Sequence, residues 1–191
     1  AAGYAPAYPE RSLEDAELGQ VREVVRRLLA AHEPYPAVAV DRRWELVDGN
    51  AGVPLISAGA AAHLLAPPVN ALRLSLHPEG MAPRIANLAE WRGHALGRLR
   101  REVAATQDPQ LRTLLAELEG YPGGDPAGAE TRPDVGAIVV PLRLRHPAGE
   151  LAFLSTITTF GTPLDITVSE LSIEAFFPAD AHTAGVLRAA T

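Results

Sequence analysis

Ala37-Val38-Ala39-Val40-Asp41-Arg42-Arg43-Trp44-Glu45-Leu46-Val47-Asp48 is the stretch whose reading sets the fold. Its halves, Ala37–Asp41 and Trp44–Asp48, are short apolar runs separated by Arg42-Arg43, which is the spacing of a hairpin. The link lacks Asn-Gly, so the turn type stays open. Upstream, Pro34-Tyr35-Pro36 ends a helix, because proline pushes its predecessor out of the α region. That helix covers Glu14–Ala31. Ser12-Leu13-Glu14-Asp15 supplies a hydroxyl cap and an acid three residues on, and Leu18, Val21, Val25, Leu28 and Leu29 recur at helical spacing.

Downstream, residues 49–80 are irregular, with one or two short helices expected. Within them Asn70–Pro78 reads as a packed linker whose Leu72, Leu74 and Leu76 alternate inward. The strongest helix is expected from about Pro83 to Ala104. Pro83 suits a first turn, and Ile85, Leu88, Ala95, Leu96, Leu99 and Val103 form an apolar stripe with Trp91 on its margin. A second helix is bracketed by Asp108 as cap, Pro109 and Gly120. Residues 120–136, rich in glycine and proline, read as a loop. Three strands follow, over Ile138–His146, Leu151–Phe160 and about Ser172–Phe177, then a terminal helix over Asp180–Ala190. Phe176 and Phe177 must point to opposite faces of their strand. An outward phenylalanine needs a partner, such as a second subunit.

The order is helix, two strands, helices, three strands, helix. It predicts an α+β fold: a PAS-like antiparallel sheet of about five strands with helices over one face, plus an N-terminal linker helix. We divide the chain into a linker segment and helix over 1–34 and the PAS-like domain over 35–191.

Composition agrees with one folded domain. Of 191 residues, 47% are apolar and 21% charged, a globular balance. The net charge is −6 and every basic residue is arginine. An acidic chain without a basic face is a poor nucleic-acid binder by itself. Zero cysteine excludes disulfides, thiol catalysis and cysteine-ligated metal. No apolar run is long enough to span a membrane, and a cytoplasmic location is expected. The chain opens on Ala1 and its one methionine is Met81, so it reads as a domain cut from a longer protein.

Several stretches carry a family resemblance. Tyr35–Trp44, Asn70–Pro78 with the long helix through Trp91, and Thr158–Thr162 on to Phe176–Asp180 resemble the ligand-binding domain of MmyB-like transcription regulators. Ala1-Ala2-Gly3-Tyr4 looks like the tail of an XRE-type helix-turn-helix domain. The resemblance implies a PAS-like fold placed after that DNA-binding domain, and a small apolar, fatty-acid-like ligand. DNA would be contacted only through the preceding domain. A regulator that reads paired half-sites is expected to be a homodimer.

The candidate ligand-binding residues are Arg73, Leu88, Trp91, Arg92, His94, Phe153, Ile157 and Phe160. Trp91 and His94 are three apart on one helix, hence neighbours: an apolar wall and a polar handle for a pocket, or a core-edge aromatic and a hydrogen-bonded surface histidine. Arg92 falls inside the apolar stripe and must find an acid, a backbone carbonyl or a ligand anion; a structural partner is the more ordinary outcome. Arg98, Arg100 and Arg101 lie near the helix end, where cations suit the dipole. Arg73 and His77 sit in the Asn70–Pro78 stretch ahead of the long helix, which either closes a cleft or, as the more ordinary reading of its alternating leucines, is a packed linker. Phe153, Ile157 and Phe160 come from the final strands.

Enzyme motifs are absent: no Gly-x-Ser-x-Gly, no His-Glu-x-x-His and no phosphate loop. The six histidines are dispersed, and no spacing announces a metal site. No catalytic residue, metal or cofactor is expected. Two rival readings stand beside the sensing domain. One is a ligand-free dimerisation or interaction module whose cleft is filled. The other is a small α+β enzyme, with His94 its first candidate.

Overall fold

The computed structural model describes residues 19–123, 140–159 and 171–189. The expected helix start at 14–18, the loop at 124–136, Phe160 and the break at Gly161 lie outside the described residues. The elements are α1 (Gly19–Ala31), β1 (Ala37–Val40), β2 (Leu46–Gly49), α2 (Val53–Ser57), α3 (Ala62–Leu65), α4 (Ala71–Leu76), a 3-10 turn (Ala82–Arg84), α5 (Leu88–Thr106), α6 (Pro109–Glu119), β3 (Leu142–His146), β4 (Gly149–Thr159), β5 (Ser172–Pro178) and α7 (Ala181–Ala189).

The five strands form one antiparallel sheet in the order β2-β1-β5-β4-β3. β1 is buried along its whole length. Its alternating side chains explain why. Val38 and Val40 join the main core, whereas Ala37 and Ala39 meet Val25 and Leu29 of α1, with Leu171 and Ile173. Period-two alternation therefore gives this interior strand two apolar faces. The main core lies on the other side of the sheet, under α5 and α6, with Leu96, Leu99, Leu118 and Phe153 fully buried.

Local chemistry sets the connections. In the β1–β2 link, Asp41 Oδ1 accepts from the amides of Arg43 and Glu45, each at 2.8 Å. This side-chain turn replaces the missing Asn-Gly. Trp44 closes it with φ of 65°, a conformation that non-glycine residues seldom adopt; its ring is buried in the main core.

Asn50 ties α1 to the sheet. Its Oδ1 accepts from the amides of Ala37 (3.0 Å) and Gly52 (3.2 Å), and its Nδ2 donates to the carbonyls of Leu29 (3.1 Å) and Tyr35 (2.8 Å). Asn50→Ala strands several buried main-chain groups at once. We expect a loss of about 3 kcal/mol, read as a lower urea midpoint. A loss under about 0.5 kcal/mol, the scale of ordinary surface changes, would show that water replaces the side chain.

Two expectations require correction. The long helix does not begin at Pro83; that residue sits in the separate 3-10 turn, and α5 starts at Leu88. Pairing with β3 holds the intervening residues extended: Ile85 bridges Leu144, the Ala86 amide donates to the Arg143 carbonyl (2.7 Å), and Asn87 Nδ2 donates to the Pro141 carbonyl (2.8 Å). Asn70–Pro78 is not an alternating linker either. Asn70 caps α4 by accepting from the Arg73 amide at 3.0 Å. Leu72, Leu74 and Leu76 are all buried because core surrounds this short helix on several sides.

α6 is bracketed as expected, with the Asp108 carboxylate accepting from the Gln110 amide at 2.7 Å and Gly120 past its end. Phe176 is buried while Phe177 is 42% exposed, as strand alternation requires. Within the chain the His32 ring meets Phe177 edge-on at 4.6 Å, and the rest of the phenylalanine stays open.

Candidate functional site

An apolar cavity lies between the inner face of the sheet, α5 and the short helices α2 and α4. Val38 and Phe176 come from the sheet, Ile56 from α2, Leu72 and Leu74 from α4, and Trp91 and Ala95 from α5. The cavity offers about 80 Å³ to the centres of water-sized molecules, several times the ~10–15 Å³ that one water needs. Trp91 is fixed in its wall, because its Nε1 donates to Ser75 Oγ at 2.9 Å.

Three ionisable groups border this space: His94 and Arg98 from α5, and Glu174 from β5. Trp91, His94, Ala95 and Arg98 follow i, i+3, i+4, i+7 spacing, so α5 turns one stripe toward the cavity. Arg98 lies over the Trp44 ring, 4.1 Å from its centroid, and its Nε is 3.4 Å from Glu102 Oε1. Trp44 Nε1 donates to Glu102 Oε2 at 2.7 Å, so the three side chains form one closed group. Glu174 alternates with Ile173 and Ala175, which face α1, and so shares the inner face with Phe176.

The electrostatics follow from this placement. Burial pushes the Glu174 carboxyl above the ordinary carboxylate range, opposed by the charge of Arg98 and a hydrogen bond with Ser155. Burial lowers His94, and the nearby Arg98 and Arg101 charges lower it further. Burial also lowers Arg98, opposed mainly by Glu174 and Glu102. Each shift disfavours charge in an apolar surrounding. The cavity thus combines an apolar body with a few polar groups whose charges sense one another, which is the ordinary make-up of a small-molecule site.

Of the residues singled out from the sequence, Trp91 and His94 border the cavity. Arg92 points elsewhere. It is 2% exposed, and its guanidinium donates to the carbonyls of Leu118 (2.7 Å) and Glu119 (2.9 Å). It therefore caps the C-terminal end of α6, where a cation also meets the favourable end of the helix dipole. Arg73 faces α6 and makes a two-pronged pair with Glu117, at 2.7 Å on both oxygens. Tyr121 Oη donates to the same carboxylate. The hydrogen bonds from Arg73 hold Glu117 low, while burial and the bond to Glu117 push Tyr121 up to about 12. This network joins α4 to α6 outside the cavity.

Leu88 packs against the main core at the first turn of α5. Phe153 is fully buried and meets Phe176 edge-on at 6.5 Å, one layer behind the lining. Ile157 is the cross-strand partner of Glu174 and stays 40% exposed. Phe160 lies outside the described residues. The sequence reading missed Arg98, Glu174, Trp44 and Ser75. Arg98 carries a signal, standing seven residues past Trp91 on the same stripe, but its place near the helix end also has a sufficient local explanation in the helix dipole. Glu174 had a weaker signal, an acid alternating with the apolar residues of a strand.

No curated protein matches the chain. A family model described as the MmyB-like transcription regulator ligand binding domain matches residues 21–190. That span takes in both strand groups, the helices between them and the whole cavity. The chain therefore belongs to the family of MmyB-like transcription regulator ligand-binding domains.

Proposed function

We propose that this chain is the sensing part of a bacterial transcription regulator, acting in the cytoplasm without catalysing a reaction, and that its cavity binds a small, mainly apolar molecule of fatty-acid-like character. The observation that carries this reading is the cavity itself: apolar walls from sheet, α2, α4 and α5, with polar groups gathered at His94, Arg98 and Glu174. We read the strand order β2-β1-β5-β4-β3 as a PAS-like arrangement, with the ligand held between sheet and helices. The regulator reaches DNA through a helix-turn-helix domain preceding this chain. Because the cavity holds only a few waters, a long acyl chain enters by displacing the short helices. A ligand that favours the displaced arrangement shifts its population.

Mass spectrometry of an organic extract, paired with native mass spectrometry of the purified chain, tests this. We expect one apolar molecule per chain, or a thermal shift with an acyl-chain panel. An empty protein that shifts with no member of the panel would favour the interaction module.

The polar groups give a second expectation. A carboxylate ligand is drawn by Arg98 and repelled by ionised Glu174, so its binding favours the protonated form of Glu174. Affinity should then rise as pH falls through the titration of Glu174. Glu174→Gln should flatten that dependence. It should also alter stability in a defined direction. A carboxyl raised in the folded state binds its proton more tightly there, so its contribution is present at low pH and lost as pH rises through the folded value. Glu174→Gln should therefore melt higher than the parent chain at neutral to alkaline pH and show little gain under acid. A variant that melts lower at alkaline pH would mean that the ionised carboxylate is stabilised by Arg98 and Ser155.

We further infer a homodimer, resting on an exposed apolar strip outside the cavity. Val24 and Leu28 of α1 are each 46% exposed. Arg26, on the opposite flank of α1, reaches Asp48 of β2 at 3.7 Å, so this strip faces the β5–β4 side. There Phe177 and its cross-strand partner Leu154 are also exposed. Light scattering with Leu28→Glu, expected monomeric, checks it.

A further inference from the structure

His63, His77 and Glu79 each present a ligand atom within 4.8 Å of the others. They come from different elements: His63 from α3, His77 from the C-cap of α4, and Glu79 from the turn beyond it. The backbone beneath them is firmly held. The Ala61 amide donates to the Glu79 carbonyl (2.8 Å), the Gly80 amide to the His77 carbonyl (2.9 Å), and the Met81 amide to the Leu74 carbonyl (2.9 Å). Gly80 is required for this turn, since a Cβ there would run into the Leu74 carbonyl oxygen. The two imidazole rings meet edge-on at 5.7 Å, and Tyr121 backs the His77 ring at 4.9 Å.

We propose that His63, His77 and Glu79 form a binding site for a divalent transition-metal ion, with Zn²⁺ the best match. Two imidazoles and one carboxylate are a donor set that zinc accepts while keeping a fourth position for water. Imidazole donors disfavour magnesium and calcium, which take oxygen ligands. Tetrahedral zinc with bonds near 2.0–2.1 Å needs ligand atoms about 3.3 Å apart. The cluster must therefore close by up to about 1.5 Å, a movement available to the exposed side chains of His63 and Glu79 through rotamer changes. One competitor is present: His77 Nδ1 accepts from the Glu79 amide at 3.0 Å. Loading through Nδ1 exchanges that hydrogen bond for a coordinate bond, so affinity falls short of that of a closed structural zinc site. A bound ion would clamp α3 to α4, the helix that gives Leu72, Leu74 and Ser75 to the cavity wall. The inference stands whatever the cavity binds.

The test is titration of the untagged full chain with Zn²⁺ by calorimetry, with Co²⁺ as a spectroscopic probe. We expect one equivalent to bind, with the intense visible bands of four-coordinate Co²⁺. His63→Ala and Glu79→Gln, both at exposed positions, should each weaken binding by at least about tenfold while leaving the thermal midpoint of the metal-free chain unchanged. Absence of a saturable Zn²⁺ site would overturn the proposal. So would binding that survives both substitutions, since the ion would then sit on other histidines such as His146 or His182.

Discussion

Arg92→Ala should lower the unfolding free energy by about 3 kcal/mol, because it strips the carbonyls of Leu118 and Glu119 of their donor and leaves a void beside Leu118. The guanidinium is held by both bonds at under 3 Å, and burial shifts it toward the neutral form, opposed by the charge of Glu119. Its Nε has no hydrogen-bond partner and is out of contact with water, so part of the cost of burying this charge goes uncompensated. Arg92→Met keeps the volume and removes that cost, and should therefore be less damaging than alanine. Arg92→Lys should fall between them, since an ammonium lacks the planar fork that reaches two carbonyls. Urea denaturation of the three variants orders them. A methionine variant as damaged as the alanine one would show that the missing donor, and not the volume, sets the loss.

Ala95→Phe should weaken ligand uptake by at least about tenfold, or 1.4 kcal/mol. Ala95 is buried on α5 and borders the cavity together with Trp91 and His94. A benzyl group there occupies the space that a ligand would need. Overpacking costs about 1–3 kcal/mol, which a domain of ordinary stability survives. Circular dichroism and a melting curve separate lost binding from lost fold. If the variant folds and still carries a stoichiometric apolar molecule in native mass spectrometry, the ligand lies elsewhere. The surface groove lined by Arg43, Asn70, Arg73 and Glu117 would then be the next site to test.

These two arginines on α5, Arg92 and Arg98, show how far a single sequence carries. Periodicity placed Arg92 in the apolar stripe and so demanded a buried partner. Its partners proved to be main-chain carbonyls at the end of α6. No residue type announces a carbonyl, so only the crossing of α5 and α6 reveals the contact. Arg98 had the complementary history. Its place near the helix end supplied a sufficient local explanation, yet the stripe through Trp91 and His94 turns it onto Trp44, more than fifty residues away in the chain.

What the sequence by itself determined was local: the strand pair around Arg42-Arg43, the opposite faces of Phe176 and Phe177, the cap at Asp108, the acidic balance, and the element order that the five-stranded sheet bears out. Each depends on neighbours within one turn or one strand, where covalent geometry fixes which side chains can meet. The start of α5 escaped because cross-chain pairing of Ile85 and Ala86 with β3 outweighed helix propensity there. The cavity, the entry of Glu174 into it, and the meeting of His63 with His77 and Glu79 were decided by tertiary structure alone. They depend on which distant elements pack together, and the burial that shifts Glu174 exists only after they have done so.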